Sequence, residues 1–248
     1  MFKCTAKPLI MIAALTVLSL PALADGTNTV AWAPSYSGSC ENCNLSGQSM
    51  SYWNLSGGHF PGADISSARM HGITARNTNF TSVNARFADL SKADLTGAIF
   101  RSATLQNARL QGVRASTSNF YMANLTDANL SSANFVGATL SSSNAAGLIA
   151  TDADFSGANA SGIILDRAQL TNTHFNGTNL FGSSFIGADI TGASFRDARF
   201  GEANLSGMTG FDKADFTGAC GSLGTTYPAG FTLPLCGGGV VYRAGKAQ

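Results

Sequence analysis

Every fifth residue from Leu45 to Leu205 is apolar, and this period leaves few folds open. The 33 positions hold 13 Leu, 10 Phe, 6 Ala, 2 Met and 2 Ile without a gap. With an apolar composition of 44%, chance would produce such a run on the order of 10⁻¹² of the time. Neither an α-helix nor a β-strand has this period, because neither keeps residues i, i+5 and i+10 on one buried stripe.

A chain that makes a quarter turn every five residues would bring all of these positions inside. Four five-residue units then complete one coil, and residues i and i+20 stack at about 4.8 Å, the spacing of hydrogen-bonded strands. This arrangement predicts two columns of stacked phenylalanine rings. The first contains Phe60, Phe80, Phe100 and Phe120, and the second contains Phe135, Phe155, Phe175 and Phe195.

A short motif surrounds each central apolar residue. A small residue lies two positions before it, Ala in 18 of 33 cases, and Asn or Asp commonly stands between the two. The motif is clear in Ala93-Asp94-Leu95-Thr96-Gly97 and in Ala153-Asp154-Phe155-Ser156-Gly157. It resembles the pentapeptide-repeat family over roughly residues 41–219. The resemblance implies an all-β fold, a right-handed quadrilateral β-helix of about eight to nine coils, and says little about function.

Core volume is balanced within the repeats. Where the central residue shrinks to Ala, the inward residue two positions before it grows, which close packing requires. These pairs are Ile73 with Ala75, Val83 with Ala85, Val113 with Ala115, and Leu148 with Ala150.

The regular frame breaks once, after Leu205. Phe211 and Phe216 continue the pattern one residue out of step, which predicts a bulge near the C-terminal end. From Cys220 onwards the repeat is absent. The predicted segments are a signal peptide at 1–24, an N-terminal cap at 25–40, the repeat region at 41–219, and a C-terminal disulfide loop and tail at 220–248.

The N-terminus has the layout of a cleavable secretory signal. Lys3 and Lys7 precede an apolar run from Leu9 to Leu20, and Ala22-Leu23-Ala24 forms a small-x-small cleavage site. The apolar run is shorter than the ~20 residues needed to span a bilayer. We therefore expect a secreted or periplasmic protein that begins at Asp25, without a transmembrane segment in the mature chain.

Four cysteines would remain after cleavage, an even number in an oxidising compartment. About eight coils would separate Cys43 from Cys220 by ~40 Å, whereas disulfide Cα atoms lie within ~7 Å. The predicted pairs are therefore Cys40 with Cys43, and Cys220 with Cys236. A redox dithiol or half of a metal site are the alternatives at Cys40 and Cys43, but no second ligand pair lies near them.

Composition and motif geometry argue against catalysis. Without the signal, 13 basic residues face 14 acidic ones, and a net charge of −1 predicts neither a polyanion-binding nor a DNA-mimicking field. His59, His71 and His174 would project from three different faces, so they cannot share a metal ion. No Ser, His and Asp converge, and a thin rod offers no concave pocket. We predict no enzyme, no catalytic or metal site and no cofactor.

Charged residues at positions i and i+20 would face each other in successive coils. Arg69, Asp89 and Arg109 form one such column, and Asp94 and Arg114 form another. Like other cross-strand pairs, each would stabilise the fold by about a few tenths of a kcal/mol, and none needs a ligand.

Three functional classes remain. We favour a non-catalytic exported solenoid that acts as a structural scaffold or as a protein- or glycan-binding module, with no nucleic-acid partner. A topoisomerase-protecting DNA mimic, a role of some family members, is disfavoured by the export signal and the near-neutral charge. Ice or surface binding is the third class, and His71 and Gln111 interrupt its best hydroxyl column. That column contains Ser131, Thr151, Thr171 and Thr191.

Three apolar residues break the rule that positions flanking the centres are polar. Ile164 and Ile186 would share one face in neighbouring coils, and Phe181 would lie round the preceding corner. They form a candidate interaction patch for an unknown partner or for a homodimer. Chance is the rival explanation, because scattered apolar surface residues are normal. Ile99, Val136 and Ile149 are also out of pattern.

Overall fold

The computed structural model describes residues 37–237, so the predicted signal peptide, most of the predicted cap and the end of the tail lie outside it. Within this range the chain forms no helix, and hence no helix that could cross a membrane. Its β-structure consists of isolated parallel bridges, from Ser39↔His59 to Gly221↔Leu235. The architecture is therefore all-β and built from short, regularly repeated pairings.

The bridges follow one constant register, in which residue i pairs with residue i+20. We number each repeat from its central apolar residue, position 0, so that the small residue is at −2 and the Asn or Asp at −1. The bridges join −1 positions of successive coils, as Asn44 bridges Asp64. Four repeats thus make one layer, which pairs with the layer formed by the next four repeats. The predicted stacking of residues i and i+20 is confirmed.

The interior is filled by the side chains at positions 0 and −2. All 33 central residues are buried, and the most exposed of them, Leu45, is only 6% exposed. Both phenylalanine columns stack as predicted. Ring centroids lie 5.5, 4.8 and 4.8 Å apart along Phe60, Phe80, Phe100 and Phe120. They lie 5.3, 5.1 and 5.1 Å apart along Phe135, Phe155, Phe175 and Phe195.

Each repeat ends in a β-turn with a left-handed residue at position +2. Every +2 residue from Asn42 to Gly207 has a positive φ, although many of these residues are not glycine. The turn is closed by a hydrogen bond from the N–H of the next −2 residue to the carbonyl at position 0, as from Ala63 to Phe60 at 3.2 Å. A β-turn of this kind changes the chain direction once per repeat.

In the repeats centred on Phe60 to Phe185, three further backbone N–H groups pair with neighbouring layers. The N–H groups at positions 0 and +2 donate to the following layer, as Leu45 does to Asp64 at 2.7 Å and Gly47 to Ser66 at 2.8 Å. The N–H at −1 donates to the preceding layer, as Asp64 does to Cys43 at 2.8 Å. Only the N–H at +1 is left without a backbone acceptor.

The Asn or Asp of the motif supplies that missing acceptor. Ser46 N–H donates to Oδ1 of Asn44 at 3.0 Å, and the same Asx turn recurs along the chain. Where position −1 is Ser184, the N–H of Ile186 instead donates to Oδ1 of Asp166 in the preceding layer at 3.1 Å. An unpaired backbone N–H is costly when it is shielded from water. The Asn or Asp therefore stabilises the repeat, because its side chain gives the N–H at +1 an acceptor.

The predicted bulge is confirmed and lies at Gly210. Asp189↔Thr209 is the last bridge in the regular register, and the next bridge, Ser194↔Asp215, encloses one extra residue. Gly210 stands where a central apolar residue is due, and its φ is +78°. Bridging nevertheless continues beyond residue 219. The later bridges are Arg199↔Cys220, Asn204↔Thr226 and Gly221↔Leu235.

Both predicted cysteine pairs lie at disulfide distance. The Cα atoms of Cys40 and Cys43 are 5.5 Å apart, and those of Cys220 and Cys236 are 4.9 Å apart. We expect peptide mapping without reduction to recover these two pairs and no free thiol in the mature protein. Recovery of a Cys43 peptide joined to a Cys220 peptide within one monomer would contradict the layered fold.

Candidate interaction surfaces

The three residues of the predicted apolar patch are all exposed at the surface. The exposed fraction is 39% for Ile164, 54% for Phe181 and 42% for Ile186. Ile164 bridges Ser184, two residues before Ile186, so the isoleucines lie on successive layers. The Phe181 ring packs towards the following layer, where its Cδ2 would lie 3.0 Å from a Cβ placed on Gly201.

Phe181 also lines an open cavity of about 640 Å³ near the C-terminal end of the described chain. Leu223, which is 87% exposed, and Leu235 line the same cavity. We call Phe181, Leu223 and Leu235 the C-terminal cluster. Its polar surroundings include Asn179, Arg199 and Glu202. The isoleucines of the predicted patch do not line this cavity.

Sequence reasoning missed Leu223 and Leu235 as well as three exposed apolar residues at position +2. Tyr52, Phe87 and Met122 are each more than half exposed, and each occupies the left-handed position of its turn. The signal that could have found them is the five-residue frame itself, because +2 is a corner position where side chains point to water.

Two of the three histidines each contact one polar side chain in the next layer. His59 Nδ1 lies 3.1 Å from Asn79 Nδ2, and His71 Nδ1 lies 2.8 Å from Ser91 Oγ. Among residues 37–237, no group of three or more His, Cys, Asp and Glu side chains is arranged to hold a metal ion.

Charge is segregated along the chain although its total is near zero. Residues 65–126 contain seven basic and two acidic residues, a net charge of +5, whereas residues 127–199 contain six acidic and three basic residues, a net charge of −3. All seven basic side chains are exposed. Five of these seven side chains belong to two adjacent repeat positions that recur in successive layers. We call this group the basic edge. It comprises Arg69, Arg76, Lys92, Arg109 and Arg114.

Asp94 is the buried counter-charge within the basic edge. Its side chain is 2% exposed, and its Oδ2 lies 2.6 Å from Arg76 Nε and 3.0 Å from Arg114 Nη2. Its Oδ1 accepts hydrogen bonds from the hydroxyl and the N–H of Thr96. Burial alone would raise the pKa of Asp94, but the hydrogen bonds from Thr96, Arg114 and Arg76 outweigh it and hold that pKa well below its usual range.

Because the folded pKa of Asp94 is lowered, its charge stabilises the protein above the unfolded pKa of about 3.9, and this contribution is lost as the pH falls towards the folded pKa. We expect Asp94→Asn to lower the free energy of unfolding by about 1–3 kcal/mol at neutral pH. In denaturant titrations, the difference from the unmodified protein should shrink below about pH 4.

The matched control is Asp127→Asn, which removes an exposed carboxylate that forms no ion pair within residues 37–237. It should change the free energy of unfolding by less than about 0.5 kcal/mol. An Asp94 difference that stays constant from pH 7 to acid would contradict the electrostatic explanation.

Comparison with known families agrees with the repeat geometry. The family profile described as Pentapeptide repeats matches residues 78–114 and 123–162 in 8 copies. A second profile with the same description matches residues 165–209 in 9 copies. No curated protein sequence matches the chain significantly.

Several solved structures are similar at low identity. HetL, a pentapeptide repeat protein involved in heterocyst differentiation regulation from Nostoc sp. strain PCC 7120, is 26% identical, with 78% of this chain and 90% of that chain covered and a TM-score of 0.43. Full-length QnrB1, a plasmid-mediated fluoroquinolone resistance protein, is 18% identical, with 75% of this chain and 94% of that chain covered and a TM-score of 0.37. A pentapeptide repeat protein from the Arabidopsis thaliana thylakoid lumen is 22% identical, with 58% of this chain and 73% of that chain covered and a TM-score of 0.21.

Proposed function

Because the chain belongs to the pentapeptide-repeat family, whose members are generally non-catalytic, we propose that it is an exported, non-catalytic scaffold or binding module. Its repeats wind into a right-handed quadrilateral β-helix of about eight to nine coils, and its outer surface holds a protein or glycan partner.

The repeat leaves its outer side chains free for recognition. Positions 0 and −2 fill the interior, and the Asn or Asp at −1 completes the backbone hydrogen bonding. The side chains at +1 and +2 contribute little to the core, so they can vary without loss of the fold. A scaffold of this kind presents binding groups at fixed spacings, which limits the entropy lost on binding.

The observation that carries a protein-binding role is the C-terminal cluster. Phe181 and Leu223 leave large apolar side chains in water beside an open cavity with polar residues around it. Apolar groups surrounded by a polar rim are typical of protein contact sites. This cluster therefore supports a protein partner, with a second copy of the chain as the alternative.

Export is supported by the signal-like N-terminus, which lies outside the described residues, and by the two cysteine pairs at disulfide distance. Structural disulfides persist in oxidising compartments. The test is cell fractionation followed by N-terminal sequencing of the mature protein, which should begin at Asp25. A cytoplasmic chain that retains Met1 would overturn this part of the proposal.

The two alternatives fit the surface less well. A DNA mimic needs an extended acidic face, whereas residues 65–126 expose seven basic side chains. An ice-binding array needs free hydroxyls, but Ser131 Oγ donates to Asn129 at 2.7 Å and Thr191 Oγ1 donates to Asp189 at 2.6 Å. Both hydroxyls are therefore already held within their own Asx turns.

An affinity pull-down from the envelope fraction tests the binding role. We expect Phe181→Ser with Leu223→Ser to lower partner recovery at least about tenfold, with little change in melting temperature because both side chains lie outside the core. Sedimentation of the same variant separates a homodimer from a foreign partner.

Two further variants locate the contact. The matched control is Phe87→Ser with Met122→Ser, which removes two apolar side chains elsewhere that are each more than half exposed, and this variant should recover the partner normally. Ile164→Ser with Ile186→Ser tests the remainder of the predicted patch. If none of these variants changed recovery or sedimentation, neither the cluster nor the patch would be a contact site.

A further inference from the structure

Two carboxylates adjoin the basic edge, and both are less exposed than its basic side chains. Asp89 and Asp94 accept the N–H groups of Ser91 and Thr96, so both carboxylates are fixed by the Asx turns of their repeats. Asp94 is buried, whereas all five basic side chains are exposed. The five basic residues and the two carboxylates together carry a net charge of +3, and Arg69 and Lys92 form no ion pair within residues 37–237.

A continuous line of contacts joins the basic edge to an exposed aromatic ring. Tyr52, which is 74% exposed, packs edge-on to His71 with 5.4 Å between ring centroids. His71 Nδ1 lies 2.8 Å from Ser91 Oγ, which also hydrogen-bonds Asp89. Asp89 in turn lies 3.9 Å from Arg109 Nη1. The line crosses successive layers, so the aromatic ring and the cations form one surface.

A glycine leaves room for the Tyr52 ring along the same corner. A Cβ at Gly72 would meet this ring at 2.8 Å, so the ring lies over the following layer at a place where a side chain would displace it. Tyr52, Gly72, Lys92 and Gly112 occupy the same +2 position in successive layers, so the corner runs straight through all four of them.

We propose that the basic edge binds an acidic polysaccharide, whose carboxylates contact the arginine and lysine side chains and one of whose sugar rings packs on Tyr52. Guanidinium groups match carboxylates through paired hydrogen bonds. Arg69 and Arg109 lie two layers apart, about 10 Å along the layers, which suits a linear polymer with regularly spaced anionic groups.

Nucleic acid fits this surface less well. Single strands without sequence preference are held by successive aromatic platforms on which their bases stack, and Tyr52 is the one exposed aromatic ring on this corner of the described chain. Duplex DNA is read by an element that enters a groove, whereas the basic edge is formed by short turns and isolated bridges. A glycan needs only one ring platform and spaced cations.

The inference rests on the proposed function in taking the protein to be a binding module, but it concerns a different surface from the C-terminal cluster. Binding of purified full-length chain to fluorescently labelled polygalacturonate tests it directly, whatever the outcome of fractionation or pull-down. We expect binding that exceeds binding to neutral dextran. Its logarithm should fall steeply with the logarithm of salt concentration, because counterions are released from the polymer.

The diagnostic variant is Arg69→Gln with Lys92→Gln and Arg109→Gln. We expect it to lower the affinity for polygalacturonate on the order of 100-fold at low salt, and to reduce the salt slope by about 2. The matched control is Arg167→Gln with Arg196→Gln and Arg199→Gln, which removes the same charge from exposed positions nearer the C-terminal end. It should bind within about threefold of the unmodified protein. Tyr52→Ser should lower affinity without changing the salt slope.

Three results would overturn the inference. One is equal binding of polygalacturonate and neutral dextran, and another is an equal loss in the two triple variants. The third is tighter binding of a poly(dT) oligonucleotide than of polygalacturonate, which would assign the edge to nucleic acid. Melting curves of both triple variants should match that of the unmodified protein, since the substituted side chains lie outside the core.

Discussion

Phe155→Asp is expected to unfold at least the layers on either side of it. Phe155 is buried in a column between Phe135 and Phe175, with ring centroids 5.3 and 5.1 Å away. The substitution removes both stacking contacts and places a carboxylate where it finds neither water nor a cation. Burial of an unpaired charge costs about 4 kcal/mol or more, which is a large share of the stability of a typical domain. Thermal melts and limited proteolysis measure the loss.

Ser156→Asp is the matched control, since it adds the same carboxylate one residue further along the chain. Ser156 lies at position +1, and its side chain is partly exposed. Its N–H, which donates to Oδ1 of Asp154 at 2.9 Å, is kept in the variant. We expect a change of less than about 1 kcal/mol. If Phe155→Asp and Ser156→Asp had the same melting temperature, the assignment of inward and outward positions would be wrong.

Gly210→Ala is expected to have the second largest effect, because it disturbs the bulge at which the register changes. Gly210 has a φ of +78°, and a Cβ there would lie 2.6 Å from the backbone N of Thr191 and 2.8 Å from its Cα. Backbone atoms cannot move aside as a flexible side chain can. We expect a loss of about 3 kcal/mol or more, measured by denaturant titration.

Gly177→Ala separates the steric clash from the cost of the left-handed conformation. Gly177 has a φ of +63°, but no atom lies within 4 Å of the position its Cβ would take. We expect a loss of about 1–2 kcal/mol from the conformation alone. Equal losses in the two alanine variants would show that the close approach of Gly210 to Thr191 is unimportant.

The buried half of the repeat could be predicted from local sequence because each layer repeats the same short pattern. A residue such as Phe155 is buried for the same reason as Phe135 and Phe175, so the frame alone identifies the phenylalanine column. The cysteine pairing followed from the same frame, since a count of layers places Cys43 and Cys220 too far apart to meet. Neither inference needed side-chain detail.

The role of the Asn and Asp residues could not be derived in this way. Their frequency at position −1 was visible, but the group they satisfy is an N–H two residues later, and its lack of a partner follows from the layer-to-layer hydrogen bonds. Asp166 shows the difference most clearly. It accepts the N–H of Ile186 in the following layer, because Ser184 lacks the acceptor that the motif normally provides.

The contacts between surface side chains could not all be predicted from the sequence, as two cases show. The frame placed Arg114 beside Asp94, but the second pairing of Asp94, with Arg76 of the preceding layer, and the burial of its carboxylate appear only in the folded chain. Phe181 and Leu223 share a cavity although they lie far apart in the sequence, because the bridges after Gly210 enclose first one extra residue and then a second. The apolar period alone determined which residues are buried, since burial repeats with the local motif. Which outer side chains meet was decided by the register between layers, which each inserted residue shifts for the rest of the chain.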